Sequence, residues 1–299
     1  MIKINKDIVL GTAMWGWNVA QKDAWAVLDQ FAENGFYFVD TASNYPIDNN
    51  SNHFGLAIDW LKQWIHSNPN VLKVMVKIGA LDNSGSSANN LTPDYLKSET
   101  ERLKNLFGES LWGISIHWDN RNDFQSIKDT VNALNDFKFQ GLQIGLSGIA
   151  KPNLYLKAGL LTDSPIYVQV KENFLSSQGR ESYNCFAKNA RFWCYGINHS
   201  GYSMNRKLNT FNLRQTKYSQ LELEKLDFIF QSIKNSAFSN VFNSSFDVCF
   251  CNALGNKDLH GIILGIRNLE QFKSILGTIS NSNKINLASS IHNFISKIK

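Results

Sequence analysis

The sequence lacks the features that would take it out of the class of ordinary globular proteins. Its four cysteines, Cys185, Cys194, Cys249 and Cys251, have neither CxxC nor zinc-finger spacing, so neither a structural metal site nor a disulfide framework is expected. Cys249 and Cys251 fall in an apolar run with helical spacing and read as buried thiols. The 30 basic and 25 acidic residues are scattered, giving a net charge of +5. They nowhere form a like-charged block, which excludes a nucleic-acid arm or an acidic tail. No apolar window approaches the length of about eighteen residues that a spanning helix needs. The opening Met1-Ile2-Lys3-Ile4-Asn5 has no charged-then-apolar signal region. No low-complexity linker or internal repeat divides the chain, and no GxGxxG follows the first apolar run, against an open dinucleotide-binding sheet. These absences lead to the expectation of one domain spanning 1–299, reduced, soluble and cytoplasmic, monomeric or weakly homo-oligomeric, binding neither nucleic acid nor membrane.

What is present is core material in a regular order. Hydrophobic residues make up 43% of the chain and aromatics 12%, enough for a large folded core. Short apolar runs at 8–16, 36–42, 72–78, 111–116, 142–146, 166–170, 192–195 and 261–265 read as strands. Between them lie helical patterns at 21–35, around Phe54, Ile58, Leu61 and Ile65, and at 93–107, 123–139, 152–161, 181–190, 223–233, 246–254 and 268–276, with another from 286. Thr92-Pro93 has the form of a cap and first-turn pair. Strand–helix alternation implies parallel pairing through right-handed crossovers, and eight such units favour an α/β chain closed as a single (β/α)8 TIM barrel. Residues 82–90 contain no core-forming side chain and are expected to be a mobile loop on the rim of the catalytic face. A long polar loop spans 196–218.

One stretch organises the rest. Residues 36–39 are apolar and suit a strand buried on both faces, whereas 40–45 turn polar and set Asp40 and Tyr45 five residues apart. Lys77 and His117 follow at the ends of the third and fourth strands. Each alone has a bland interpretation: a carboxylate satisfying turn amides, a loop tyrosine, a snorkelling lysine, a hydrogen-bonded scaffold histidine. In a parallel barrel, however, the strand ends share one cavity. Four such groups on three successive strand ends are much harder to dismiss.

The chain resembles the aldo-keto reductases. The matching motifs are Gly11-Thr12 with Trp15-Gly16, Asp40-Thr41-Ala42 with Tyr45, Lys77-Ile78-Gly79, Ile116-His117-Trp118 and Gly145-Leu146-Ser147, then Gln169, Tyr195 and Gly265-Ile266-Arg267-Asn268. They run in the family's order along nearly the whole chain. The resemblance implies reduction of a small-molecule carbonyl, a sugar or sugar-nucleotide among the candidates, with Tyr45 as general acid, Lys77 its cation, Asp40 pairing with Lys77, and His117 orienting the substrate oxygen. Reduction of a carbonyl leaves an alkoxide that needs a proton, and a phenol needs a nearby cation to give one near neutrality. The resemblance also implies NADPH as cofactor, with no metal. Ser147 and Gln169 would hold the nicotinamide carboxamide, and Tyr195 would stack on the ring. Thr12, Trp15, Asp40, Gly196 and Gly265 would line the site, and Arg267 with Gln271 would grip the 2′-phosphate. Trp15, Trp118, Asn44 and residues 83–90 would wall the substrate pocket. The sequence departs from the family pattern at Gly148, where Asn is frequent, at 196–199, at Ile275 and at His53. Two rival readings are a nucleotide-sensing barrel without turnover and a Schiff-base aldolase using Lys77.

Overall fold

The alternation of apolar runs and amphipathic stretches becomes a closed barrel of eight parallel strands in sequence order. The computed structural model describes residues 4–176, 178–199 and 218–299. The strands are β1 (Asp7–Gly11), β2 (Phe38–Ala42), β3 (Lys73–Ile78), β4 (Leu111–Asp119), β5 (Gln143–Ile149), β6 (Ile166–Lys171), β7 (Ala190–Tyr195) and β8 (Leu259–Leu264). Pairing of β1 with β8, Val9 opposite Ile263, closes the ring. The helices are α1 (Gln21–Glu33), α2 (Leu56–Ser67), α3 (Pro93–Phe107), α4 (Phe124–Phe139), α5 (Pro152–Lys157), α6 (Gln220–Lys234), α7 (Ser245–Gly255), α8 (Leu269–Ser280), α9 (Ser282–Asn286) and α10 (Ala288–Ile298). Each of α1 to α4 buries one apolar stripe, as Ala24, Val27, Leu28 and Phe31 do on α1, which is what a helix covering a barrel must do.

Two cores result. The larger lies between the strands and the helical ring. The smaller fills the barrel interior with Val9, Met75, Tyr167, Trp193 and Ile263, flanked by Phe38 and Trp112. There the rings interlock: Trp112 stacks on Trp193 at 5.7 Å, and Tyr167 meets both edge-on. Gly261 is required by this packing, because a β-carbon there would lie 2.4 Å from Cδ1 of Trp193. The indole is fixed further by donating from Nε1 to Asp7 at 3.0 Å. The interior below the catalytic face is therefore a packed plug, and the functional space is confined to the strand C-termini.

Several local expectations are corrected. The 181–190 helix is a 3₁₀ stretch over Gln178–Phe186, because Ala190 pairs with Ile166 and already belongs to β7. Helix α5 stops at Lys157, well short of 161. Phe54 does not join the apolar face of α2: a 3₁₀ turn at Ser51–His53 precedes it and the helix begins only at Leu56, leaving Phe54 exposed. Thr92 stands at the cap of α3, but its hydroxyl bonds Asn90 instead of a helix amide. His117 lies within β4, which runs two residues beyond it.

Residues 82–90 also differ from expectation. The Ala80–Asn89 bridge and the Leu81 amide to Ala88 carbonyl bond make the stretch a closed turn. Asn83 is buried and donates to Asp48 Oδ1 at 3.1 Å and to the Asn50 carbonyl at 2.7 Å. Polar side chains anchor this loop where apolar ones were thought necessary. Of the 196–218 loop, residues 200–217 lie outside the described residues.

Candidate active site

Register places the polar groups on one end of the barrel. Ala42 pairs with Lys77 across β2–β3, His117 with Ser147 across β4–β5, and Ser147 with Gln169 across β5–β6. Asp40 is fixed through its backbone, whose carbonyl accepts from the Thr12 amide at 3.0 Å. Tyr45 is held on both sides, its amide donating to the Ala42 carbonyl and its carbonyl accepting from the Ala57 amide, each at 3.2 Å. The start of α2 thereby sets the position of the phenol.

Lys77 is the hub. The residue is 1% exposed, and its ammonium bonds Asp40 Oδ2. It lies 4.8 Å from the centroid of the Tyr45 ring. Burial opposes the charge on Lys77, but the Asp40 carboxylate and the Tyr45 hydroxyl outweigh it and hold the ammonium above the ordinary lysine value. The second oxygen of Asp40 accepts from Gln169 Nε2 at 2.6 Å, a contact reaching from β2 to β6 through the interior. A buried carboxylate is thus bonded at both oxygens, as burial demands. His117 closes the row: its ring meets Tyr45 edge-on at 5.8 Å and lies against Trp118 at 4.1 Å.

Above these groups opens a cavity of about 540 Å³. Its wall includes Asp40, Tyr45, His117, Ser147, Gln169, Tyr195, Gly196, Gly265, Arg267 and Gln271. Lys77 lies behind Tyr45 and Asp40 and does not reach the wall. The expected lining residues Thr12 and Trp15 do not reach it either. The Thr12 hydroxyl donates to Thr41 at 2.8 Å, and Trp15 is 1% exposed within the outer core; Gly11, Ala13 and Met14 take their places. Asn44 is likewise off the wall, its amide donating to the Asp82 carbonyl at 2.9 Å, and none of residues 82–90 lines the cavity. Ile47, Phe246 and Ile275 line it and were not read as wall residues. Phe246 carried only a helical-spacing signal in the sequence, with nothing to aim it at β8.

At the far end the geometry departs from a shared anion cradle. The Arg267 amide donates to Gln271 Oε1, and the Gln271 amide to Asn268 Oδ1, each at 3.0 Å. The amide just before the cap of α8 and the Gln271 amide in its first turn are therefore occupied, and Gln271 shapes the loop. The Arg267 guanidinium is a separate matter: it has no ion-pair partner among the described residues and it lines the cavity. Of the family departures, His53 bonds Asp48 at 2.5 Å, tying the β2–α2 connection to the same Asp48 that anchors Asn83.

The model of the Aldo/keto reductase family matches residues 7–286. Among solved structures, an aldo-keto reductase, AKR11C1, from Bacillus halodurans in its holo form is similar over 98% of this chain and 91% of its own, with 17% identity and a TM-score of 0.74. The glycerol dehydrogenase AKR11B4 from Gluconobacter oxydans is similar over 95% and 90%, with 14% identity and a TM-score of 0.69. No curated protein matches the chain in sequence.

Proposed function

Since the chain belongs to the aldo/keto reductase family and is thereby an NAD(P)H-dependent oxidoreductase, we propose that it reduces a small-molecule aldehyde or ketone with Tyr45 as the proton donor and NADPH as the cofactor. The observation that carries the proposal is the buried Lys77 ammonium between Asp40 and Tyr45, directly behind the cavity wall.

The residues suit the cofactor on their own chemistry. The wall offers the Ser147 hydroxyl and Gln169 amide near the acid, the Tyr195 ring, an open stretch at Gly265 where a β-carbon would meet nothing, and the uncommitted Arg267 cation at the far end. That series fits an elongated ligand with an amide head, an aromatic ring and an anionic tail. A bound reduced nicotinamide supplies the hydride. Tyr45 gives its phenolic proton to the alkoxide oxygen as that oxygen gains charge. Lys77 stabilises the phenolate left behind, and Asp40 keeps Lys77 charged in a site from which water is excluded. His117 meets the Tyr45 ring edge-on, on the same wall, and orients the carbonyl oxygen toward it. Gln169, through its bond to Asp40, fixes the carboxylate that the lysine needs.

Two observations weigh against a Schiff-base aldolase. Lys77 does not reach the cavity wall, and its surroundings favour the ammonium, whereas an amine nucleophile must be neutral. Tyr45→Phe tests the proposal: reduction of an aldehyde panel should fall about 10²- to 10⁴-fold, the usual weight of a positioned acid, with NADPH binding retained. Turnover within a fewfold of the parent would remove Tyr45 from the chemistry.

A further inference from the structure

Beside Ser147, Trp118 of the cavity wall interlocks with Gly148, which itself lies off the wall. Gly148 has a φ of +68°, and a β-carbon there would lie 2.5 Å from Cδ1 and 3.3 Å from Nε1 of Trp118. The indole of Trp118 thus occupies the space that a side chain at 148 would need. Trp118 itself has a φ of +63°, an uncommon conformation for a bulky residue, and its surroundings impose it. Its carbonyl accepts from Asn89 Nδ2 at 3.1 Å. Its ring lies against His117. The following residue, Asp119, is bound by Arg121 at 2.9 Å and by the Tyr155 hydroxyl at 2.6 Å. Strain on a cavity wall that is fixed from several sides marks a position with a task.

The indole Nε1–H has no hydrogen-bond partner among the described residues, and Trp118 lines the cavity. Register places His117 opposite Ser147, so the indole and the Ser147–Gly148 edge are adjacent. Gln169, one strand further, has already given its amide nitrogen to Asp40 and keeps its carbonyl oxygen as the acceptor. An N–H that can only donate and an amide oxygen that can only accept are the two polarities that a primary carboxamide requires.

We propose that Trp118 Nε1–H is the hydrogen-bond donor to the carboxamide oxygen of the nicotinamide, filling from β4 the space that a side chain at 148 would take from β5, and that Gly148 is glycine in order to admit it. The proposal rests on the nicotinamide reading above. It makes residues 118 and 148 a matched pair: filling one position displaces the other.

Calorimetric titration with NADPH, and with 2′-phospho-ADP-ribose, which lacks the nicotinamide, tests it in four proteins: wild type, Trp118→Phe, Gly148→Asn and the double variant Trp118→Ala/Gly148→Asn. Trp118→Phe keeps the ring and loses the N–H, so NADPH should weaken about three- to tenfold, the weight of one neutral hydrogen bond, with the fragment unchanged. Gly148→Asn should weaken NADPH further by displacing the indole. The double variant should bind NADPH more tightly than Gly148→Asn, because asparagine tolerates the left-handed backbone and its amide then enters the vacated space as donor. A Trp118→Phe protein with unchanged NADPH affinity, or a double variant no better than Gly148→Asn, overturns the pairing. A wild type that binds the fragment and NADPH equally also overturns it. Failure of the wild type to bind either ligand would instead refute the cofactor reading itself, while survival of activity in Tyr45→Phe would leave the pairing intact.

Discussion

Lys77→Met separates what the buried ion pair does for stability from what it does for catalysis. Methionine matches the unbranched stem and fills the space without charge. Asp40, 3% exposed, is left a buried carboxylate with the Gln169 amide at 2.6 Å as its remaining side-chain donor. Breaking a buried pair from one side costs roughly 3–5 kcal/mol, a large part of a stability of about 5–15 kcal/mol. Adding Asp40→Asn removes the stranded charge, and replacing both partners by neutral groups is often close to neutral. The double variant should therefore recover most of the lost stability. It should recover none of the rate, because the phenolate formed at Tyr45 still lacks its cation, and turnover in both variants should stay about 10²- to 10⁴-fold down. Urea unfolding of the three proteins, with single-turnover oxidation of NADPH by a reactive aldehyde, measures both quantities. Lys77→Met as stable as the parent would show that the pair does not hold the site together. A double variant that regained turnover would refute the role of the cation.

Three further outcomes follow from other parts of the structure. Arg267→Ala should weaken NADPH by about 1.5–3 kcal/mol, the worth of a hydrogen bond to a charged group, and leave NADH nearly unchanged; equal effects on both, read by calorimetry, would take Arg267 off the 2′-phosphate. Asn83→Ala removes the donors to Asp48 and to the Asn50 carbonyl and should cost roughly 2–3 kcal/mol in denaturant unfolding, whereas no loss would return residues 82–90 to the status of a loose rim. His199 is 1% exposed, and burial, helped by Lys299 and Lys171, pushes its ring down to about 3. The unfolded chain, with histidine near 6.5, then binds more protons between those values, so stability falls as pH drops through this window and returns as it rises. Between pH 6.5 and 5 the loss assigned to His199 is roughly 1.5–2 kcal/mol, and His199→Gln should flatten that part of the stability profile. An unchanged profile would mean that the histidine is protonated in the native state.

The sequence by itself determined the class of fold and singled out the candidate reactive groups. Eight apolar runs alternating with helical patterns leave few solutions other than a closed parallel barrel, since each run must be buried on both faces and each crossover must cover it. The order of Asp40, Tyr45, Lys77 and His117 along that alternation already implied a common cavity. Only the tertiary structure decided which neighbours reach it. Thr12 and Trp15 adjoin the site in sequence motif yet face away, because the loop after β1 turns its apolar side into the outer core. Phe246 and Ile47 reach the wall by packing directions that no local pattern encodes. Residues 82–90 looked unanchored because composition counts apolar side chains, whereas Asn83 is held by hydrogen bonds to a loop over thirty positions earlier. The Gly148–Trp118 fit has the same origin: strand spacing put each residue at a strand end, but that one fills the other's missing side chain is a matter of register between β4 and β5. Periodicity carries the strands and helices because burial acts on every residue along them; partner choice depends on contacts between distant segments, and those exist only once the barrel has closed.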